Sequence, residues 1–218
     1  RDAFLFKMYQ AFGHHFDFIA IPIIKKRLRM DTSQVIINEE RPQLTKHLAT
    51  RFKEKIGQNV NLLGEVVLGN EEADHRYHHY LEALESPDIN YISVKISGIY
   101  AQTHALNYEE SFPELVSRMS ALYQKAIDFP YTDEDGIKRS KFINLDMEEY
   151  KDAHFTLRLF KAVLNLPQFK NYSAGIVVQA YLPDAYDFQT ELLEFAKARI
   201  DGGGAPIKMR LVKGCNLE

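Results

Sequence analysis

The sequence has a single cysteine, Cys215, so no internal disulfide can staple it, and that composition fits a reducing compartment such as the cytoplasm. It has no Gly-x-Gly-x-x-Gly run after a strand-like segment and no phosphate-binding Gly-x-x-x-x-Gly-Lys loop. Strong charge of one sign is also missing. A formal net charge of −3 gives no electrostatic reason to expect nucleic acid as a partner. No apolar run is long enough to span a bilayer. The best candidate, residues 16–24, holds Asp17 and Pro22 and precedes the basic residues Lys25, Lys26, Arg27 and Arg29. That order is the reverse of a secretion signal. Its plainer reading is a segment packed on the domain; its sharper one is a peripheral contact with a membrane.

What is present is the composition of a globular domain: 218 residues, 45% hydrophobic and 26% charged. β-like runs fall at 60–67, 91–97, 142–147, 175–181 and 207–212. Helical periodicity fills the gaps at 71–84, 108–127, 155–166 and 185–200, and 43–56 predicts a helix ahead of the first strand. On 108–127, Leu115, Met119, Leu122 and Ala126 form one stripe. Phe188, Leu192, Phe195 and Arg199 share helical spacing on 185–200. Residues 129–141 read as a polar loop, and Gly202-Gly203-Gly204 as a turn. Alternating strand and helix predicts an α/β fold with parallel βα units. The boundaries predict a helical arm over 1–40 and a barrel portion over 41–218.

Parity within the strands points to a barrel. In 91–97, Ile92, Val94 and Ile96 oppose Ser93, Lys95 and Ser97; in 142–148, Ile143, Leu145 and Met147 oppose Asn144, Asp146 and Glu148. Ile176, Val178 and Ala180 oppose Val177, Gln179 and Tyr181. One face of each strand is apolar and suits packing under helices. The other carries a polar group near the C-terminal end, where barrel enzymes place their chemistry. Lys95, Asp146, Gln179, Arg210 and Lys213 are the candidates, with Glu65 in the same ring. The alternative is a set of buried ion pairs that only holds the barrel together. Arg210 and Lys213 with Gly214 at a strand end suit a phosphate or an electron-rich ring, and Gly214 permits close approach. His75, His78 and His79 have metal-compatible spacing, but their helix is crowded with charges and reads as a solvated face.

These segments resemble a known family. Leu62-Leu63-Gly64-Glu65, 92–97, Asn144 to Tyr150, Gly175 to Tyr181 and Ile207 to Gly214 are similar, in order, to the barrel motifs of proline dehydrogenases. The Asn216-Leu217-Glu218 ending resembles the bifunctional proline utilization A branch. The resemblance implies a (β/α)8 barrel, of which about the first five βα units are here, and FAD held noncovalently at the C-terminal mouth. It implies oxidation of L-proline to Δ1-pyrroline-5-carboxylate, with a quinone-type electron acceptor. By motif match, Lys95 and Asp146 are catalytic, and Lys95, Asp146 and Cys215 bind substrate. Val177, Gln179, Arg210, Val212, Lys213 and Gly214 hold the cofactor. Two departures stand out: Cys215 where alanine is usual, and Asn216 where some members carry tyrosine.

The sequence ends after the fifth strand, without the family's last three strands, its arginine-bearing final helix, its aldehyde dehydrogenase half or a DNA-binding segment. From this, residues 1–218 alone are expected to oxidise proline little or not at all and to bind FAD weakly. Their unpaired sheet edges are expected to favour an oligomer. Two other readings are a binding or assembly module that keeps the fold without the reaction, and a lyase with Lys95 as a Schiff-base lysine.

Overall fold

A computed structural model describes residues 18, 21–28, 30–32, 36–37, 41–62, 69–101 and 107–213. The expected contributions of Glu65, Gly214 and Cys215 lie outside these residues. The chain divides into two compact units, 1–55 and 56–218. In the first, residues 21–28 and 30–32 are helical, and α1 spans Arg41–Lys53.

The second unit alternates strands and helices. Its elements are β1 (Val60–Asn61), α2 (Asn70–Glu85), β2 (Tyr91–Val94), α3 (Tyr108–Asp128), β3 (Tyr131–Thr132), β4 (Lys138–Arg139), β5 (Phe142–Leu145), α4 (Ala153–Leu164), β6 (Gly175–Gln179), α5 (Ala185–Asp201) and β7 (Lys208–Val212). The main sheet has the order β1-β2-β5-β6-β7, and every neighbouring pair is parallel. Each new strand joins the same edge. A doubly wound sheet reverses direction part-way; this one never does, which is the order of successive strands in a (β/α)8 barrel.

The helices form because their apolar residues recur on one side. Leu115, Met119, Leu122 and Ala126 of α3 are all buried, as their spacing requires. α2 buries Ala73, Tyr80 and Leu84, and α5 buries Ala185, Phe188 and Leu192. α2 packs on α3, and α3 on α4. Ile92, Val94, Ile143, Leu145, Ile176 and Val178, the apolar face of the strands, are at most 1% exposed. Burial of this kind stabilises by about 1.5–3 kcal/mol per large side chain.

Two expectations need correction. The second β-like run stops at Val94; Ile96–Gly98 turns into a single 3-10 turn, with Lys95 still extended (φ −109°, ψ 143°). The 129–141 segment is an antiparallel hairpin, β3-β4, because Asp133 accepts the Asp135 and Ile137 amides and pairs with Arg139. Arg199 stands at helical spacing with Phe188, Leu192 and Phe195, as expected, and does more than that spacing implied. Its guanidinium donates to the carbonyls of Leu164, Phe169, Lys170, Tyr172 and Ala205, tying the end of α5 to the loop before β6. Gly203 (φ 72°) closes the adjoining turn in a conformation that favours glycine.

Candidate functional site

Strand register decides which side chains meet. Val94 pairs with Leu145, Leu145 with Ile176, and Ile176 with Met209. The next residue in each chain segment is therefore in one row: Lys95, Asp146, Val177, Arg210. Side chains alternate along a strand, so this row lies on the face opposite the apolar one. Gln179 pairs with Val212 two residues further on, on the same face. The structure thus brings together Lys95, Asp146, Val177, Gln179, Arg210 and Val212. Lys213 follows directly after β7 and is exposed.

Asp146 is the hub. Its Oδ1 accepts from Arg210 Nη2 at 2.6 Å, Asn144 Nδ2 at 2.7 Å and Ser93 Oγ at 3.2 Å. Ser93 Oγ in turn accepts from Asn59 Nδ2 at 2.9 Å. Asp146 is 8% exposed and Asn144 fully buried. The ion-pair alternative is therefore realised in part, by Asp146 and Arg210. It does not extend to Lys95: among the described residues, nothing holds its ammonium by an ion pair or hydrogen bond. A buried cation-facing carboxylate whose second oxygen, like the neighbouring Lys95 ammonium, has no partner among the described residues suits a ligand carrying both charges.

The row one step further toward the strand ends is also tied down. Ser97 donates to Glu148, and Gln179 donates to the Glu148 carbonyl. Around the same end, Tyr150 bonds Asp184 and Tyr108 bonds Asp152, linking the connections that follow successive strands. Tyr80 rises behind the site from α2; burial pushes its phenol up to about 12, against a backbone hydrogen bond from Lys95. Burial likewise raises the Tyr91 phenol, which Arg210 counteracts.

Three buried polar atoms on this face have no partner among the described residues: Asn144 Oδ1, Gln179 Oε1 and Arg210 Nε. Leaving a buried donor or acceptor unmade costs about 1–3 kcal/mol. Asn144 Oδ1 packs against Gly175, whereas Gln179 Oε1 and Arg210 Nε are hydrogen-bonding groups that a ligand on this face would satisfy. An acceptor and a donor beside apolar Val177 and Val212 fit the edge and face of a planar heteroaromatic ring. The parity of the strands revealed this face, but Ser93, Asn144, Ser97 and Glu148 as supports were missed. Their polarity at strand positions on the candidate face was the signal. Among the described residues, no three His, Cys, Asp or Glu side chains are grouped to hold a metal ion.

The proline dehydrogenase family model matches residues 44–218. The chain belongs to the proline dehydrogenase family. Solved structures agree. Proline utilization A from Corynebacterium freiburgense is 41% identical over 88% of this chain, with a TM-score of 0.78. Proline utilization A from Bdellovibrio bacteriovorus, inactivated by N-propargylglycine, is 30% identical over 91%, with a TM-score of 0.75. The Bradyrhizobium japonicum protein, at 24% identity over 72% and a TM-score of 0.60, shares the fold. This chain spans 19%, 22% and 16% of those three chains, respectively. No curated protein matches it.

Proposed function

We propose that this proline dehydrogenase segment carries the FAD-binding face and part of the substrate pocket of a site that oxidises L-proline to Δ1-pyrroline-5-carboxylate. The observation that carries the reading is the single row Lys95, Asp146, Val177, Arg210, with Gln179 and Val212 in the next row of the same face. The Bdellovibrio relative supports the substrate class, because N-propargylglycine, like proline, is an amino acid whose nitrogen is a secondary amine.

The residues fit FAD. Gln179 Oε1 and Arg210 Nε are the unpartnered acceptor and donor, Lys213 is an exposed cation at the strand end, and Val177 and Val212 offer an apolar surface. Gly214 completes the set by motif match. FAD, when bound, supplies an electron-poor ring that accepts a hydride. Arg210 places positive charge where negative charge gathers, held there by Asp146. Lys95, with no partner of its own among the described residues, pairs with the substrate carboxylate and so fixes which carbon faces the ring. Asp146 spends Oδ1 on Arg210, Asn144 and Ser93 and keeps Oδ2 for the pocket. Cys215 lines it by motif match.

Further parts of the same proposal rest on separate grounds: a quinone-type electron acceptor on the family resemblance, a cytoplasmic setting on the single cysteine, a peripheral membrane contact on residues 16–24, an oligomer on the unpaired sheet edges, and a helical arm over 1–40 ahead of the barrel portion on the periodicity of those residues. Among the described residues, no helix is long and apolar enough to cross a membrane. Residues 1–218 by themselves are expected to bind FAD weakly and to leave it unbleached. The test is therefore the visible spectrum, before and after anaerobic L-proline, of FAD-loaded protein in which residues 1–218 are joined to the remaining strands of the barrel. Bleaching of bound flavin is expected. Bound flavin that proline leaves unbleached overturns the substrate assignment.

A further inference from the structure

Gln179 is held in a way that fixes the sense of its amide. Its Nε2 lies 3.0 Å from the main-chain carbonyl oxygen of Glu148. A carbonyl oxygen only accepts, so the prong facing it must be the NH2, and the other prong is Oε1. Gln179 is 9% exposed, and Oε1 is buried without a partner among the described residues. The Glu148 main chain is in turn pinned by its own carboxylate. Oε2 accepts the Ser97 amide at 3.1 Å, and Oε1 accepts the Ser97 hydroxyl at 2.8 Å. Two charge-assisted hydrogen bonds thus tie the 3-10 turn after β2 to the segment after β5, and that segment holds the side chain at the end of β6.

We propose that Ser97 and Glu148 are positioning residues: acting through the Glu148 carbonyl, they lock the Gln179 amide so that Oε1 is presented to an N–H donor of the bound ring. This rests on the reading that the ring is the flavin of FAD, whose pyrimidine part carries an N–H. The chemistry is a matched acceptor set in place before binding, so that the ligand loses no free energy in ordering it.

The competing account is that Ser97 and Glu148 only join two connections and affect folding. A double-mutant cycle separates the two. FAD dissociation constants are measured by ultrafiltration on the protein in which residues 1–218 are joined to the remaining strands of the barrel, as wild type, E148A, Q179L and the double variant. Thermal melts of the FAD-free proteins run alongside. E148A and Q179L are each expected to weaken FAD binding about tenfold, the effect of one lost hydrogen bond. The double variant is expected to bind no more weakly than Q179L. Where E148A does not fold, S97A, which removes one of the two anchoring bonds, takes its place in the same cycle. Additive losses, or a lowered melting temperature with an unchanged dissociation constant, overturn the proposal. A wild type that binds no FAD overturns the cofactor reading and this inference together; a wild type that binds FAD with an additive cycle overturns this inference alone.

Discussion

Arg210 on β7 reaches past Val177 of β6 to Asp146 beyond β5, closing a 2.6 Å ion pair over an intervening strand. The pair is therefore part of the ligand-facing surface and also fastens the outermost strand to the middle of the sheet. With Asp146 largely buried and Arg210 about 41% exposed at its side chain, the geometry favours orientation over raw stability.

R210M is expected to lower kcat/KM for L-proline by roughly a hundredfold or more, the scale for losing a preorganised charge at a reacting centre. Steady-state kinetics with the flavin content measured in parallel check this. On the proposed function, in which Lys95 pairs with the substrate carboxylate, K95M is expected to raise KM instead, with little change in flavin content. Wild-type kinetics for both variants would remove this face from the reaction.

Gly175 has no room for a side chain. A Cβ there would lie 2.7 Å from Asn144 Oδ1 and 2.9 Å from the Phe142 ring. Asn144 cannot swing away without releasing Asp146. G175A is expected to cost about 1–3 kcal/mol in urea unfolding, the scale of overpacking in a filled core. It should also weaken ligand binding at Asp146. A neutral effect on both would mean that this layer is softer than its contacts imply.

R199A takes the guanidinium donor from five carbonyl oxygens, of which those of Phe169 and Lys170 keep the Tyr172 and Ala205 amides. A loss of about 3 kcal/mol in unfolding free energy is expected, since hydrogen bonds to a charged group contribute about 1.5–3 kcal/mol each and some of these oxygens would gain water instead. R199K keeps the charge but not the planar fork and should recover only part of it. Chemical denaturation of the three proteins decides this.

Lys141 lies at the start of β5, 2% exposed, with its ammonium on the Ser86 carbonyl and Asp88 as the favourable charge. Burial pulls it from 10.5 down to about 8. The unfolded chain thus keeps this proton up to higher pH than the folded one. Charging Lys141 in place costs stability fully below about pH 8, and the cost is relieved as pH rises toward 10.5. Urea midpoints should rise between pH 8 and 10, by up to about 1.4 kcal/mol per pH unit in stability. K141M should flatten that rise. Parallel pH profiles for both proteins would refute it.

The helices were readable because burial follows their spacing: the Leu115, Met119, Leu122 and Ala126 stripe needed no tertiary information. Strand ends were less so. Ile96 and Ile99 are buried whether the chain runs extended or turns after Val94, so periodicity could not locate the 3-10 turn. The 129–141 hairpin was hidden because Asp133 organises it with a side chain, not with a hydrophobic pattern. Parity placed Lys95, Asp146 and Gln179 on one face. It could not place Asp146 opposite Arg210, since that depends on how each strand is staggered against the next. Lys141 and Arg199 were invisible as special residues, because their partners are carbonyls 27 to 55 positions away, apart from Ala205.

The one-directional growth of the sheet has a consequence for biosynthesis. Each strand of the main sheet after the first finds one neighbour already made as it emerges from the ribosome, so the sheet can extend in the order of translation. Asp146 precedes Arg210 by 64 residues, a delay on the order of seconds at ordinary elongation rates. Through that interval the carboxylate has Ser93 and Asn144 but not its cation. Arrival of the fifth strand gives Asp146 its cation, so this part of the face is completed late, in a single step, and not gradually.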